Sequence, residues 1–349
     1  MGEYAAPFVL SDRSIKDWSI WGYAFGYFAC YVPYSALAKG LSSGLFAGMP
    51  RGISGFELLP LTMLASLVGM FVFITAMRWW QFAGHKTVLG VSLPMRNVWT
   101  FLSGVCTAAI IATTTLAYTF DGVSIVFMML LMRGGVLVIA PIVDFVSRRH
   151  VRWFSWVALS LSMGALLVAF FGGSKSSLAV TTVAAIDVVV YLGGYFVRLR
   201  FMSRLAKSED PNATKRYFVE EQMTATPVVV LALATLAIIG KGDLMQDVRH
   251  GFTEVWKNSR VLEVLVVGVL SQGTGIFGGL ILLDRRENSF CVPVNRASSI
   301  LAGISASFAL YFAVGKSPPG AVELFGASLV VAAIVALSLP GVLAKRRAA

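Results

Sequence analysis

The sequence predicts an all-α membrane protein with ten transmembrane helices arranged as two inverted five-helix repeats. Three observations predict it. The 349 residues are 57% hydrophobic and only 13% charged, about half the charged share of a soluble globular chain, and the mean hydropathy is +0.75. Apolar stretches of about 20 residues, the length that crosses a hydrocarbon core roughly 30 Å thick, recur from end to end and leave no room for a soluble domain. Lastly, Arg133 and Arg296 fall inside apolar stretches at matching places in the two halves. Met129-Leu-Leu-Met-Arg133-Gly-Gly-Val-Leu-Val-Ile-Ala lies over Val292-Pro-Val-Asn-Arg296-Ala-Ser-Ser-Ile-Leu-Ala-Gly without a gap. The same offset pairs Asp121 with Asp284, each at a turn just before its helix.

The elements follow in order. The first span, 18–38, carries Tyr31-Val-Pro-Tyr34 and ends near Lys39; the second, 54–77, opens with Glu57 and contains Pro60. The third, 98–119, holds Thr113-Thr-Thr115 and is joined by a tight hairpin, Thr119-Phe-Asp-Gly-Val, to the fourth, 123–146, which holds Arg133 and Pro141. The fifth, 153–172, completes a first repeat over residues 1–174. The sixth, 178–201, opens the second repeat, 175–349, with Asp187, Tyr191 and Tyr195. A polar loop at about 202–216 leads to the seventh, 217–239, which opens on Glu220-Glu221. Residues 242–260 place Leu244, Met245, Val248, Phe252, Val255 and Trp256 at helical spacing, as in a short amphipathic helix lying on the outer surface. The eighth, ninth and tenth spans are 261–283, 290–313 and 320–343. Prolines at 33, 60, 141, 227 and 293 each free the carbonyl four residues earlier and bend a helix.

Five spans on either side of Lys175 give the halves opposite orientations. Tyr31, Tyr34 and Lys39 then echo Tyr191, Tyr195 and Arg200, and Glu57 echoes Glu220-Glu221. The net charge of +11 follows membrane topology rather than nucleic acid. Arg78, Lys86, Arg96, Arg148, Arg149, Arg152, Arg198, Arg200, Arg204, Arg285 and Arg286 gather on one side, and fewer, among them Lys39, Arg51, Lys241, Arg249, Lys257 and Arg260, on the other. The positive-inside rule makes the first side cytoplasmic and puts both termini there. No cleavable signal sequence is expected, because Glu3, Asp12 and Asp17 precede the first apolar run.

Enzyme chemistry is not expected. His85, His150 and His250 lie on different connections, and no phosphate-binding loop, zinc spacing or nucleophile elbow occurs. Cys30, Cys106 and Cys291 fall within predicted helices and read as unpaired thiols. No cofactor or metal is implied.

What remains is a polar interior. A guanidinium at mid-bilayer costs roughly 2.5–3.5 kcal/mol on insertion scales, so two in register point to a central cavity at a repeat interface. Guanidinium groups meet phosphate or carboxylate with paired hydrogen bonds, which makes Arg133 and Arg296 the candidate anion-binding residues. Tyr31, Tyr34, Tyr191, Tyr195 and Asn295 are candidate lining. Asp187, an acid well inside a span, is the candidate counterion or proton carrier, with Glu57 and Glu221 nearer helix ends as further counterions. Thr113-Thr-Thr115 and Ser271-Gln-Gly-Thr274 add polar lining.

Val123-Ser-Ile-Val-Phe through Arg133, Pro141 and Asp144, then Arg148-Arg-His-Val-Arg-Trp-Phe-Ser-Trp and Gly164-Ala-Leu-Leu, resemble the fourth helix, acidic-basic loop and fifth helix of the drug/metabolite transporter superfamily in its ten-helix form. The resemblance covers nearly the whole chain and implies alternating access. In that superfamily, nucleotide-sugar and organophosphate exchangers set basic residues of the fourth and ninth helices against phosphate, and Asn295-Arg296 is similar to their Asn-Lys pair. Their aromatic-Asn-Asn element on the seventh helix is replaced here by Phe218-Val-Glu-Glu-Gln-Met.

The expectation is therefore a secondary transporter, acting as monomer or homodimer in a bacterial inner membrane, for a small-molecule or lipid-linked organic anion: a sugar phosphate, nucleotide sugar or polyprenyl-linked phosphate. The alternative is a proton-coupled exporter of amino acids, drugs or other neutral metabolites. A third reading is a non-transporting membrane subunit that organises an envelope enzyme.

Overall fold

The computed structural model describes residues 20–49, 51–88, 91–116, 125–172, 182–208, 210–315, 318 and 320–348. The N-terminal acids, the hairpin with Asp121, and Lys175 lie outside them.

Each predicted span coincides with a helix: α1 (Ile20–Ser42), α2 (Gly55–Ala76), α3 (Val98–Leu116), α4 (Ile125–Val146), α5 (Trp153–Gly172), α6 (Thr182–Phe201), α7 (Ala213–Ile239), α9 (Val261–Leu283), α10 (Asn288–Val314) and α11 (Ala321–Ala348), with the short α8 (Gly242–Thr253) inserted before α9. Among the described residues, α2, α7, α9 and α10 are long and apolar enough to cross a membrane.

The distribution of side chains also fits lipid. Large apolar residues face outward on many helices, among them Phe25 at 70%, Phe145 at 82%, Ile238 at 79% and Phe312 at 78% exposure. Acids, amides and hydroxyls such as Glu57, Ser66, Glu221, Gln272 and Ser299 are buried. A soluble fold would show the reverse.

Three segments depart from the sequence reading. Between α2 and α3 a 3-10 turn (Trp79–Phe82) and a two-stranded antiparallel hairpin, β1 (Gly84–Val88) with β2 (Val91–Met95), replace a plain loop. The hairpin is anchored by Glu220, which accepts from the Gly84 and Asn97 amides at 3.0 Å and from Thr100 Oγ1 at 2.7 Å. The polar loop after α6 begins as a π turn (Met202–Ala206), and α7 starts at Ala213. The apolar face of α8 meets the bundle rather than lipid. Val248 and Val255 are buried, Leu244 and Phe252 pack beside Met63 and Leu233, and Trp256 stays half exposed.

Packing brings the two halves together throughout. α1 lies against α9 and α10, and α6 against α3 and α4; α2 lies against α9, and α3 against α7. The α5–α11, α4–α10 and α2–α7 pairs also touch. Small residues permit the closest crossings. A Cβ at Gly268 would stand 2.4 Å from the Thr62 carbonyl oxygen, and one at Gly104 would stand 2.5 Å from Thr224 Cβ. With no hydrophobic drive between helices in lipid, such close packing holds the bundle.

At one end, polar side chains clamp α10 to α4 and α5. Asp144, fully buried, accepts from the Asn288 and Ser289 amides at 2.9 and 2.7 Å and from their side chains at 2.8 and 2.7 Å. It satisfies α10 amides that have no partner within the helix. Lys207 Nζ donates to the Arg286 carbonyl and to Asn288 Oδ1 at 2.8 and 3.0 Å. Glu287 accepts both arms of Arg152, at 2.9 and 3.0 Å, and Ser155 Oγ at 2.7 Å. Burial alone would raise the Glu287 carboxyl, but the hydrogen bonds from Arg152 and Ser155 outweigh it and hold the group below its ordinary value.

Two outcomes follow. Gly268→Ala should lower the thermal midpoint by an amount equivalent to about 1–3 kcal/mol, whereas Gly303→Ala, where a Cβ meets open space, should leave it unchanged or raised. A depressed folded-state value means that Glu287 stabilises the fold above its ordinary value of 4.5 and loses that contribution as pH falls through the lower, folded value. Unfolding midpoints measured across that acid range should fall more steeply for wild type than for Glu287→Gln.

Candidate central anion site

Proline at 33 leaves α1 helical through Ser42, and the three- and four-residue spacings put Tyr27, Tyr31 and Tyr34 on one face. Their rings form a ladder with centroids 5.4 and 5.6 Å apart. Tyr191 and Tyr195 on α6 pair in the same way at 4.9 Å. Each arginine reaches the tyrosines of its own half. Arg133 Nη2 donates to the Tyr31 hydroxyl at 3.1 Å, and the Arg296 guanidinium lies over the Tyr195 ring at 5.1 Å from its centroid, a cation–π geometry. Tyr27 and Tyr191 are each within electrostatic reach of both guanidinium groups, so the two arginines share one region.

Arg296 is 7% exposed, and its Nε and Nη2 have no hydrogen-bond partner among the described residues. It stands on the wall of a cavity of about 240 Å³ together with Tyr27, Tyr195, Asn295 and Arg198. Ser66, Gln222, Thr226, Ser271, Gln272 and Thr274 give the remaining wall a hydroxyl and amide character. Asn295 donates to the Gly278 carbonyl at 3.3 Å, turned from Arg296 as adjacent helical positions require.

The predicted residues thus divide. Arg296, Tyr195 and Asn295 line the cavity; Tyr191 adjoins it through Tyr195, Arg133 bonds Tyr31 beside it without being among its lining residues, and Tyr34 stands one step further along its ladder. Of the polar runs, Ser271 and Thr274 reach the cavity, but Thr113 and Thr114 donate back to the Ala109 and Ile110 carbonyls of their own helix at 2.8 and 2.6 Å. Asp187 shares a helix face with Tyr191 and Tyr195 by its spacing of four and eight. It is 5% exposed and neither oxygen has a hydrogen-bond partner among the described residues. It forms no ion pair with Arg133 or Arg296 there, because eight residues put it about 12 Å along α6 from Tyr195.

The other two acids serve elsewhere. Glu57 completes a capping box with Ser54 at the start of α2 and pairs with exposed Arg51 at 3.1 Å. Glu221 is a counterion, but of Arg198. The two form a bidentate pair at 2.8 and 2.9 Å, and Ser103 and Thr107 donate to the same carboxylate at 2.7 and 3.1 Å. Arg198 is only 7% exposed, so it is enclosed in the bundle as the partner of Glu221. An arginine near a helix end gives no signal of this; the acid one helix away supplies it.

Among the described residues, ligand atoms of Glu57, Asp247 and His250 approach within 4.8 Å of one another. Glu57 is already engaged by Arg51 and the Ser54 amide, and Asp247 accepts from Ser54 Oγ at 2.7 Å, so the group acts as a polar latch between α2 and α8. The three cysteines are free.

Breaking a buried pair strands a charge, at about 3–5 kcal/mol. Arg198→Met and Glu221→Met should each lower the thermal midpoint sharply, and the double variant should recover much of the loss.

No family model and no curated protein matches the chain. Twenty-six chains of solved structures do. One, described only as the crystal structure of a protein, superposes with a TM-score of 0.57 over 95% of this chain and 100% of its own, at 15% identity. The fold is shared across nearly the full length.

Proposed function

We propose that the chain is a ten-span secondary transporter of the drug/metabolite type, with inverted repeats at 1–174 and 175–349, that carries a phosphate-bearing organic anion by alternating access. The substrate is a sugar phosphate, a nucleotide sugar or a polyprenyl-linked phosphate, carried without covalent chemistry or a cofactor. One observation carries the reading: Arg296 is buried at a cavity wall, and among the described residues its Nε and Nη2 have no hydrogen-bond partner and no carboxylate lines that cavity. A buried guanidinium with open donors is costly, and an entering phosphate supplies the missing acceptors with matched geometry. A volume of about 240 Å³ is below the ~300–1,000 Å³ of whole-ligand cavities and suits the phosphate-bearing part of such a molecule.

The repeat assignment draws support from the exchange of partners. With α1–α5 taken as equivalent to α6, α7, α9, α10 and α11, the α1–α9 contact answers α6–α3, α1–α10 answers α6–α4, and α2–α9 answers α7–α3. Gly104 against Thr224 answers Gly268 against Thr62. Arg133 with Tyr31 answers Arg296 with Tyr195. Arg133 and Arg296 hold the anion from the two halves, and the tyrosines and Asn295 line its path. The end rich in arginine faces the cytoplasm with both termini, in a bacterial inner membrane, and the unit is a monomer or homodimer.

Asp187 favours a second reading. An unpartnered buried carboxylate is the usual form of a proton carrier in a membrane, and it suits proton-coupled export of neutral metabolites.

Thermal unfolding of the purified protein against sugar phosphates, nucleotide sugars, short polyprenyl phosphates, amino acids and cationic drugs separates the two. A phosphate class should raise the midpoint, and Arg133→Ala and Arg296→Ala should each abolish that shift. Unchanged shifts in both variants would overturn the anion reading. Stabilisation confined to neutral compounds, with flux driven by a pH gradient and lost in Asp187→Asn, would establish the second.

A further inference from the structure

We propose that the pocket between the α4–α5 turn and the α9–α10 turn binds the phosphate headgroup of an anionic phospholipid. The pocket measures about 410 Å³ and is lined by Arg149, His150, Arg152, Arg285, Arg286 and Glu287. Four guanidinium groups therefore face a single lining carboxylate, whose two oxygens are both held by Arg152. Asp284 stands at the edge, 3.7 Å from Arg286.

The cations are fixed in place. Arg149 donates to the Arg285 carbonyl, and Arg285 to the Asp210 carbonyl at 3.3 Å. Arg152 lies over the Phe154 and Phe290 rings at 4.7 and 5.5 Å, and Arg286 over Phe290 at 5.0 Å. Arg152 has its edge on Glu287, whereas stacked Arg286 has its Nη1 without a hydrogen-bond partner among the described residues and loses little freedom when an oxyanion arrives.

Depth selects the lipid. Phe145, Trp153 and Trp156 beside this end are 82%, 71% and 48% exposed. Exposed aromatic side chains at helix ends sit at headgroup level, so the pocket opens where lipid phosphates lie and acyl chains can run along Phe145 and Trp153. Basic pockets between helix ends at this depth hold anionic headgroups. The site is distinct from the central one: Arg296 is eight residues, about 12 Å, further along α10 than Asn288.

The test compares nanodiscs of phosphatidylcholine alone with nanodiscs in which phosphatidylglycerol replaces part of it. Readouts are the thermal midpoint and quenching of tryptophan fluorescence by brominated phosphatidylglycerol. Phosphatidylglycerol should stabilise wild type and Lys241→Gln, at the opposite end, alike. In Arg149→Gln/Arg285→Gln its apparent affinity should fall roughly tenfold or more. Should the double variant not fold, Arg149→Gln alone, matched to wild type in phosphatidylcholine, carries the comparison. Equal responses of wild type and variant would overturn the proposal. So would an equal stabilisation of detergent-solubilised protein by inorganic phosphate, which would make the site one for soluble anions. Loss of transport in Arg296→Ala with the lipid response intact separates this site from the central one.

Discussion

Two adjacent carboxylates, Glu220 and Glu221, tie the halves of this bundle to each other. Both are buried, at 3% and 0% exposure, so each draws its donors from the protein. Neighbours on a helix point about 100° apart, and the donors lie in two directions. Glu220 takes the amides at either end of the β1–β2 hairpin and Thr100. Glu221 takes Arg198 from α6 together with Ser103 and Thr107 from α3. Helices α3, α6 and α7 are thereby held in one geometry, and the wall of the central cavity that carries Arg198, Gln222 and Tyr195 inherits it.

Much of this was legible in the chain because the bilayer imposes its length scale on the sequence. Ten apolar runs of about the right length became ten helices, and the helical spacing of Leu244, Val248 and Phe252 became α8. The facing of the tyrosines followed from spacings of three and four. Partner choice was not legible, since Arg198 and Glu221 meet through tertiary packing. Counting basic residues by membrane side says nothing of the burial of Arg198, which depends on an acid on another helix. The β1–β2 hairpin escaped notice for a related reason: Gly84-His-Lys-Thr-Val has no apolar alternation, and its anchor is again an acid far along the chain.

Acids and arginines of the same type are put to different uses along this chain. Glu57, near the start of α2, is spent on closing a helix end beside exposed Arg51. Glu221, near the start of α7, is enclosed and paired. Arg133 donates to a tyrosine hydroxyl, while Arg296 lies on a tyrosine face.

The contacts at Gly104 and Gly268 bear on how such a bundle can move. Where a missing methyl group lets a helix rest against its neighbour, there is no slack for one to slide past the other. α9 must travel with α2, and α3 with α7. Each pair then behaves as a stiff lever drawn from both halves of the chain, and any large displacement is left to the looser seams between the levers.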